Sequence, residues 1–168
     1  MLRVDLGALE RRPVDVSGTL AADDELFQDL AFDLSEPVVV SGRLKSAGLG
    51  RFTWRGKIVT RVNTTCRRCL APTSLPITAA VDVVFTEDQD SDDPSEYVVP
   101  EGKQVLELHD AVREELILAM PDSVACQEDC KGLCSSCGTD LNVEPCDCKP
   151  ATDPRWQGLD ALKTELNG

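Results

Sequence analysis

Eight cysteines and a single histidine are the residues of this 168-residue chain best suited to chemistry. The cysteines fall in local pairs: Cys66 and Cys69 in CRRC, Cys126 and Cys130 a little further apart, Cys134 and Cys137 in CSSCG, and Cys146 and Cys148 in CDC. Two intervening residues let a chain turn so that both sulfurs face one ion. Gly138, directly after the CSSC pair, removes the Cβ that would crowd such a turn. Together the pairs supply ligands for two tetrahedral four-cysteine sites, so the expected cofactor is zinc, as two structural ions.

The compact grouping puts Cys134, Cys137, Cys146 and Cys148 in a local site and leaves Cys66, Cys69, Cys126 and Cys130 for a long-range one. Closing the gap from Cys69 to Cys126 costs loop entropy that grows only logarithmically with length, which thiolate–metal bonds can outweigh. An interleaved grouping satisfies the same spacings: Cys66 and Cys69 with Cys134 and Cys137, and Cys126 and Cys130 with Cys146 and Cys148. Iron also suits four thiolates. A dithiol redox centre is the other chemistry open to CRRC, because Arg67 and Arg68 would lower a thiol pKa. Zinc is preferred because CRRC follows a strand instead of opening a helix, whose dipole would activate a thiol, and because a cationic neighbourhood equally stabilises a metal tetrathiolate.

Full thiolate coordination leaves no open position for water or substrate, so the centres read as structural and the chain as non-enzymatic. His109 reads as a helix-start or surface residue. Asp82 and Glu87 stand in a strand and an acidic loop, contexts that favour solvation over acid–base work. No GxxxxGK phosphate loop or GxSxG elbow occurs, and no small-molecule substrate is expected.

The elements that must position these thiols follow from periodicity. Val38–Lys45 reads as a strand and Ser46–Gly50 as a hairpin loop. Beyond it, Phe52, Trp54, Ile58 and Val62 fall on even positions, and Arg51, Arg55, Lys57 and Arg61 on odd ones. A strand repeats every two residues, so one face is core and the other cationic. Pro72 and Pro76 are expected to bracket a turn, with a third strand over Ile77–Phe85. The absence of crossover helices predicts an antiparallel sheet. Glu87–Glu96, rich in carboxylates and lacking aliphatic anchors, reads as a solvated loop. Leu108–Met120 is the best helix, with Leu108, Val112, Leu116 and Met120 at i, i+4 spacing, and Pro121 ends it. A terminal helix is expected after the Asp153 cap and Pro154, with Leu159, Leu162 and Leu166 on one face. Residues 1–37 give little signal beyond short strands or turns and a helical turn near Asp23–Leu26. The expected fold class is α+β: an antiparallel β-rich domain over 1–121 with packed helices, then a zinc-binding knuckle segment over 122–168 packed on it.

Composition limits the partners. A 42% hydrophobic chain can build a core, and with seven aromatics that core must be mostly aliphatic. The net charge of −13 disfavours whole-surface capture of nucleic acid, but it is unevenly spread. Residues 1–80 carry 11 basic against 9 acidic groups, and residues 81–168 carry 6 against 21. Residues 43–68 hold eight cations and no carboxylate, so Arg51, Arg55, Lys57, Arg61, Arg67 and Arg68 are candidate contacts for RNA or a ribonucleoprotein. The acidic half could instead hold a basic protein. No apolar run is long enough to span a membrane, and Met1–Glu10 contains no secretory-type apolar stretch, so a cytoplasmic, reducing location is expected.

The CRRCL stretch at Cys66–Leu70, the string from Cys126 to Cys148 and the downstream DPRWQGLDAL at Asp153–Leu162 resemble the YceD-type large-ribosomal-RNA accumulation family. The likeness is most specific at GLCSSCGTDLN and covers nearly the whole chain. It implies a bacterial or organellar factor for accumulation of large-subunit ribosomal RNA, acting on that RNA, on a pre-large-subunit particle or on a basic ribosomal protein, with no established enzymatic activity. Cys66 and Cys69 match the family's first pair, and Cys134, Cys137, Asn142, Cys146 and Cys148 its later motif. The proline usual inside the knuckle is Ser135 here.

Overall fold

A computed structural model describes residues 2–149. The terminal helix expected after Asp153 lies outside the described residues. In chain order the elements are β1 (Arg3–Asp5), α1 (Leu6–Arg11), β2 (Val14–Leu20), a 3-10 turn (Glu25–Phe27), β3 (Asp33–Leu34), β4 (Val38–Gly48), β5 (Arg51–Thr65), β6 (Pro72–Thr86), β7 (Glu96–Val98), β8 (Val105–Glu107) and α2 (His109–Leu118). The main sheet runs β2-β4-β5-β6-β7, with β3 pairing β5 beyond the end of β4, and β1 and β8 form a separate ribbon.

The alternation along β5 sets the architecture. Phe52, Trp54, Ile58 and Val62 are all buried, and the cross-strand register continues their face into Val40 and Leu44 on one side and Val81, Val83 and Phe85 on the other. Against this face α2 packs Ala111, Val112 and Leu116, together with Leu108 before it, so the stripe read at i, i+4 spacing is the one buried. Pro121 stands three residues beyond the helix, where its missing N–H breaks no ladder.

The fold is α+β and its sheet is mixed, not purely antiparallel. β7 pairs parallel to the end of β6, with Val84 opposite Glu96 and Thr86 opposite Val98. A parallel pair normally needs a long crossover because the chain must travel back along the whole strand. Here it retraces only a three-residue pair, which the loop between Thr86 and Glu96 spans without a helix. That acidic loop is solvated as expected but is stitched down: Asp88 and Asp93 accept from the N–H groups of Asp90 and Ser95, and Gln89 Nε2 donates to the Val99 carbonyl at 2.7 Å.

Pro72 and Pro76 do not bracket a turn but lie inside β6, opposite Thr65 and Arg61. The bond from Cys66 N–H to the Ala71 carbonyl marks 66 and 71 as a bonded pair. Antiparallel alternation then puts both prolines at non-bonded positions, with their nitrogens facing outward where no strand pairs with this part of β6 among the described residues.

Gly42 and Gly56 face each other across β4 and β5 on the core side. A Cβ at Gly42 would stand 2.5 Å from Trp54 Nε1, and one at Gly56 would stand 2.2 Å from the Ser41 carbonyl oxygen. Gly42 therefore leaves the notch that admits the indole, and Gly56 lets the two backbones approach. Gly56→Ala must push backbone against backbone and is expected to destabilise by about 1–3 kcal/mol, measured by denaturant unfolding of the full chain.

Candidate metal centres and the basic strand face

The eight thiols gather into two sets, Cys66, Cys69, Cys126 and Cys130, and Cys134, Cys137, Cys146 and Cys148; within each set the sulfurs lie within 4.8 Å of one another. This is the compact grouping, not the interleaved one. Cys66 and Cys69 come from the turn joining β5 to β6, while Cys126 and Cys130 come from the segment after α2. That inner set is largely enclosed, with Cys66, Cys69 and Cys130 no more than 7% exposed, whereas the outer set is half-buried to exposed.

The two CxxC turns use the same hydrogen bonds. In the first, Cys66 N–H donates to the Ala71 carbonyl, Leu70 N–H to the Cys66 carbonyl, and Arg68 N–H to Cys66 Sγ. In the second, Cys134 N–H donates to the Thr139 carbonyl, Gly138 N–H to the Cys134 carbonyl, and Ser136 N–H to Cys134 Sγ. Both turns need a left-handed residue at the same place. Gly138 supplies it at φ 76° and Leu70 at φ 60°, which for a leucine is strained by about 1–2 kcal/mol. A glycine-based search finds the second turn readily and undervalues the first.

This geometry fits a tetrahedral thiolate centre. A metal–sulfur bond of about 2.3 Å implies sulfur–sulfur edges of about 3.8 Å. Cys66 and Cys130 sulfurs are 3.8 Å apart, and those of Cys69 and Cys126 3.6 Å, each pair joining the strand turn to the later segment. Electrostatics agrees. Backbone N–H groups of Cys69 and Cys126 pull the Cys66 thiol down to about 6, and those of Cys137 and Ser136 pull Cys134 down to about 6. Once one sulfur is charged its neighbours resist: Cys126 is pushed up to about 12 by partial removal from water and by the surrounding sulfurs, and Cys148 to about 12 chiefly by Cys137. Each cluster is thus built to start a thiolate shell that a central cation would complete. Closed four-sulfur shells hold structure and leave no position for a reacting water.

Docking of the cysteine-rich segment onto the strand turn uses further bonds. Arg67 N–H donates to the Val124 carbonyl at 2.8 Å, and Arg68 Nη1 to the carbonyls of Cys130 at 3.0 Å and Glu128 at 3.3 Å. Arg68, a candidate RNA contact from sequence, therefore has its guanidinium engaged in holding the inner cluster together.

Of the remaining candidates, Arg51, Arg55, Lys57 and Arg61 stand on the outward face of β5, several of them beside a carboxylate, and Arg67 stands in the turn that follows it. Arg51 meets Glu96 at 3.3 Å, Arg55 meets Asp82 at 3.0 Å and Arg61 meets Glu36 at 3.2 Å. On β4, Arg43 meets Asp15 of β2 at 2.7 Å and holds that carboxyl below its usual range. Asp82 is thus an ion-pair partner instead of a free strand carboxylate. Lys57 and Arg67 are exposed and stand in no ion pair among the described residues. Exposed pairs such as Arg55–Asp82 and Arg61–Glu36 contribute about 0–1 kcal/mol each, so a phosphate could displace the carboxylate at little cost, whereas the Glu96 side chain is only 8% exposed and keeps Arg51 engaged. The pairing could be found only from register, since Asp15, Glu36 and Asp82 are far from their partners in sequence. His109 opens α2 and belongs to neither thiol cluster.

Residues 54–163 match the family described as large ribosomal RNA subunit accumulation protein YceD. An uncharacterised protein of Mycobacterium tuberculosis is 27% identical over 165 residues, covering 94% of this chain and 79% of the relative. A chloroplastic large ribosomal RNA subunit accumulation protein YCED homolog of Zea mays is 26% identical over 145 residues, covering 68% of this chain and 48% of the relative. An uncharacterised Mycobacterium leprae protein is 35% identical over 54 residues, covering 32% of this chain and 25% of the relative. No solved structure gave a significant match.

Proposed function

The chain belongs to the YceD family of large ribosomal RNA subunit accumulation proteins, and from that premise we propose that it is a non-enzymatic, cytoplasmic factor in large-subunit ribosome assembly whose two thiol clusters each hold a structural zinc ion. The observation that carries the reading is that the family match spans both clusters and the cationic strand between Trp54 and Arg68. Zinc is the ion of choice because it accepts four thiolates without redox activity. In that role the metals are scaffold. The inner one pins the segment after α2 to the β5–β6 turn and so fixes Arg67 beside the β5 face, and the outer one closes that segment on itself.

Recognition falls to that face. Lys57 and Arg67 offer unpaired cations, and Arg55 and Arg61 can exchange a surface carboxylate for a phosphate of ribosomal RNA within a pre-large-subunit particle, while Arg51 stays with the nearly buried Glu96. The overall −13 charge suits short-range contact inside an assembly better than long-range capture. The triple variant Arg55→Glu, Lys57→Glu and Arg61→Glu is expected to keep its zinc and its fold while losing association with pre-large-subunit particles by about tenfold or more. Wild-type protein with isolated RNA should give a slope of log K against log salt of about −2 to −4, for three or four phosphate contacts. A slope near zero, or unchanged particle association in the variant, sinks the RNA contact.

One observation favours a second reading. Residues 81–168 carry 21 acidic against 6 basic groups, and Asp88, Asp90, Asp92 and Asp93 are exposed on the loop before β7. Such a surface would suit an adaptor for a basic ribosomal protein. Tight RNA-independent binding of that protein, retained by the triple variant, would select this reading.

A further inference from the structure

The two thiol clusters share a side chain. Asn142 lies between Cys137 and Cys146, within the loop that closes the outer cluster, yet it reaches the inner one. Its Nδ2 donates to Cys130 Sγ at 3.4 Å and to Asp140 Oδ1 at 2.6 Å. Its Oδ1 accepts from Lys131 N–H at 2.8 Å and from Gln127 Nε2 at 3.5 Å. A side-chain amide has two donors and two lone pairs, so this one is fully engaged, mostly by the segment carrying the inner cysteines. The backbone is connected in the same sense. Leu141 N–H donates to the Gly132 carbonyl at 2.9 Å, Leu133 N–H to the Arg68 carbonyl at 3.1 Å, and Leu133 forms a bridge with Asp140.

Resting on the metal reading above, we propose that Asn142 is a positioning residue for the inner metal centre and that it couples the two centres. An ion in the outer cluster holds Cys137 and Cys146, and hence the loop between them, so that the Asn142 amide is presented to Cys130. A donor at that sulfur stabilises a thiolate within a shell whose four negative charges exceed those of a divalent cation. Arg68 N–H does the same for Cys66 at 3.4 Å, but from the strand turn, so its position does not depend on the outer loop. The coupling is reciprocal: an ion in the inner centre must tighten the outer one by the same factor.

The test uses the full chain loaded with isotopically labelled zinc and placed in excess unlabelled zinc, so that the outer cluster stays filled while exchange of each ion is followed and ions per chain are counted by native mass. Wild type is expected to exchange its two ions in two phases, the exposed outer one fast and the enclosed inner one slowly. Cys137→Ser combined with Cys148→Ser should hold one ion and exchange it about tenfold faster than the slow wild-type phase, the usual order for a lost neighbour of a metal ligand. Asn142→Ala should keep two ions and show the same acceleration of the slow phase. Adding it to the outer-cluster variant should accelerate nothing further. Asp140→Asn with Asn142→Asp keeps a side-chain bond in the loop and an acceptor for Lys131 but offers Cys130 no donor, so it should behave as Asn142→Ala does. An unchanged slow phase, accelerations that multiply in the combined variant, or full recovery in the exchanged variant overturns the coupling. Wild-type protein that carries no zinc overturns the metal reading and this proposal with it, which native mass separates from two ions released independently.

Discussion

Cys66→Ser is expected to cost the chain one metal ion and to free the segment after α2 from the sheet. Cys66 is fully buried, its sulfur lies 3.8 Å from that of Cys130, and two backbone N–H groups already bring its thiol down to about 6. Serine keeps the shape but supplies an alcohol that remains protonated, so the first ligand charge disappears from an enclosed site. In small zinc modules such a centre contributes about 10–16 kcal/mol of apparent binding free energy. The segment from Pro121 to Lys149 contains no regular helix or strand, so beyond its hydrogen bonds with Arg67 and Arg68 little else holds it. Native mass should show one ion in place of two, and limited proteolysis should cut residues 122–149 at least tenfold faster than in wild type. Cys137→Ser, at the exposed outer cluster, should also lose an ion while leaving the segment docked. Equal protease sensitivity of the two variants would mean that the inner centre is not the staple.

Trp54→Ala is expected to produce the largest loss of stability in the sheet, about 3–5 kcal/mol. Trp54 is fully buried, and its ring fills the notch left by Gly42. Its Nε1 has no hydrogen-bond partner among the described residues. The indole is therefore held by shape, and Trp54→Phe, which removes the unpaired N–H along with part of the ring, should cost much less than the alanine variant. Along β5, Trp54 is roughly 40 Å from the strand turn bearing Cys66, at the usual rise per residue. Zinc content should be unchanged in both variants while denaturant midpoints fall. A Trp54→Ala midpoint close to wild type would contradict the packing described for β4, β5 and β6.

What the sequence made legible was whatever is written in local period or spacing. Phe52, Trp54, Ile58 and Val62 announced a core face by alternation, Leu108, Val112 and Leu116 a helix stripe, and the glycines around Leu49 a hairpin. CSSCG marked a knuckle because Gly138 meets a conformational demand that few residues meet. Features that depend on register stayed hidden. β2 pairs with β4 over its whole length, yet Val14–Leu20 contains Gly18 and only a broken alternation, so it was not separable from a turn. Helix α1, six residues capped by Asp5, is too short to show a period. Pro72 and Pro76 argue for a turn because their outward-facing nitrogens become acceptable only once this part of β6 is seen to pair with no other strand among the described residues. Arg51, Arg55 and Arg61 looked like free cations for the same reason: the carboxylates that meet them arrive from other strands and loops. Leu70 concealed the likeness of the two CxxC turns, and no spacing rule could direct Asn142 to Cys130.

Metal quantitation on protein purified without added zinc, combined with mass measured under non-denaturing conditions in a reducing buffer, tests the central claim most directly. The two tetrathiolate centres predict two zinc ions per folded chain and eight sulfurs carrying no disulfide. A well-folded chain free of metal, or one whose cysteines persist as disulfides in that buffer, would contradict it.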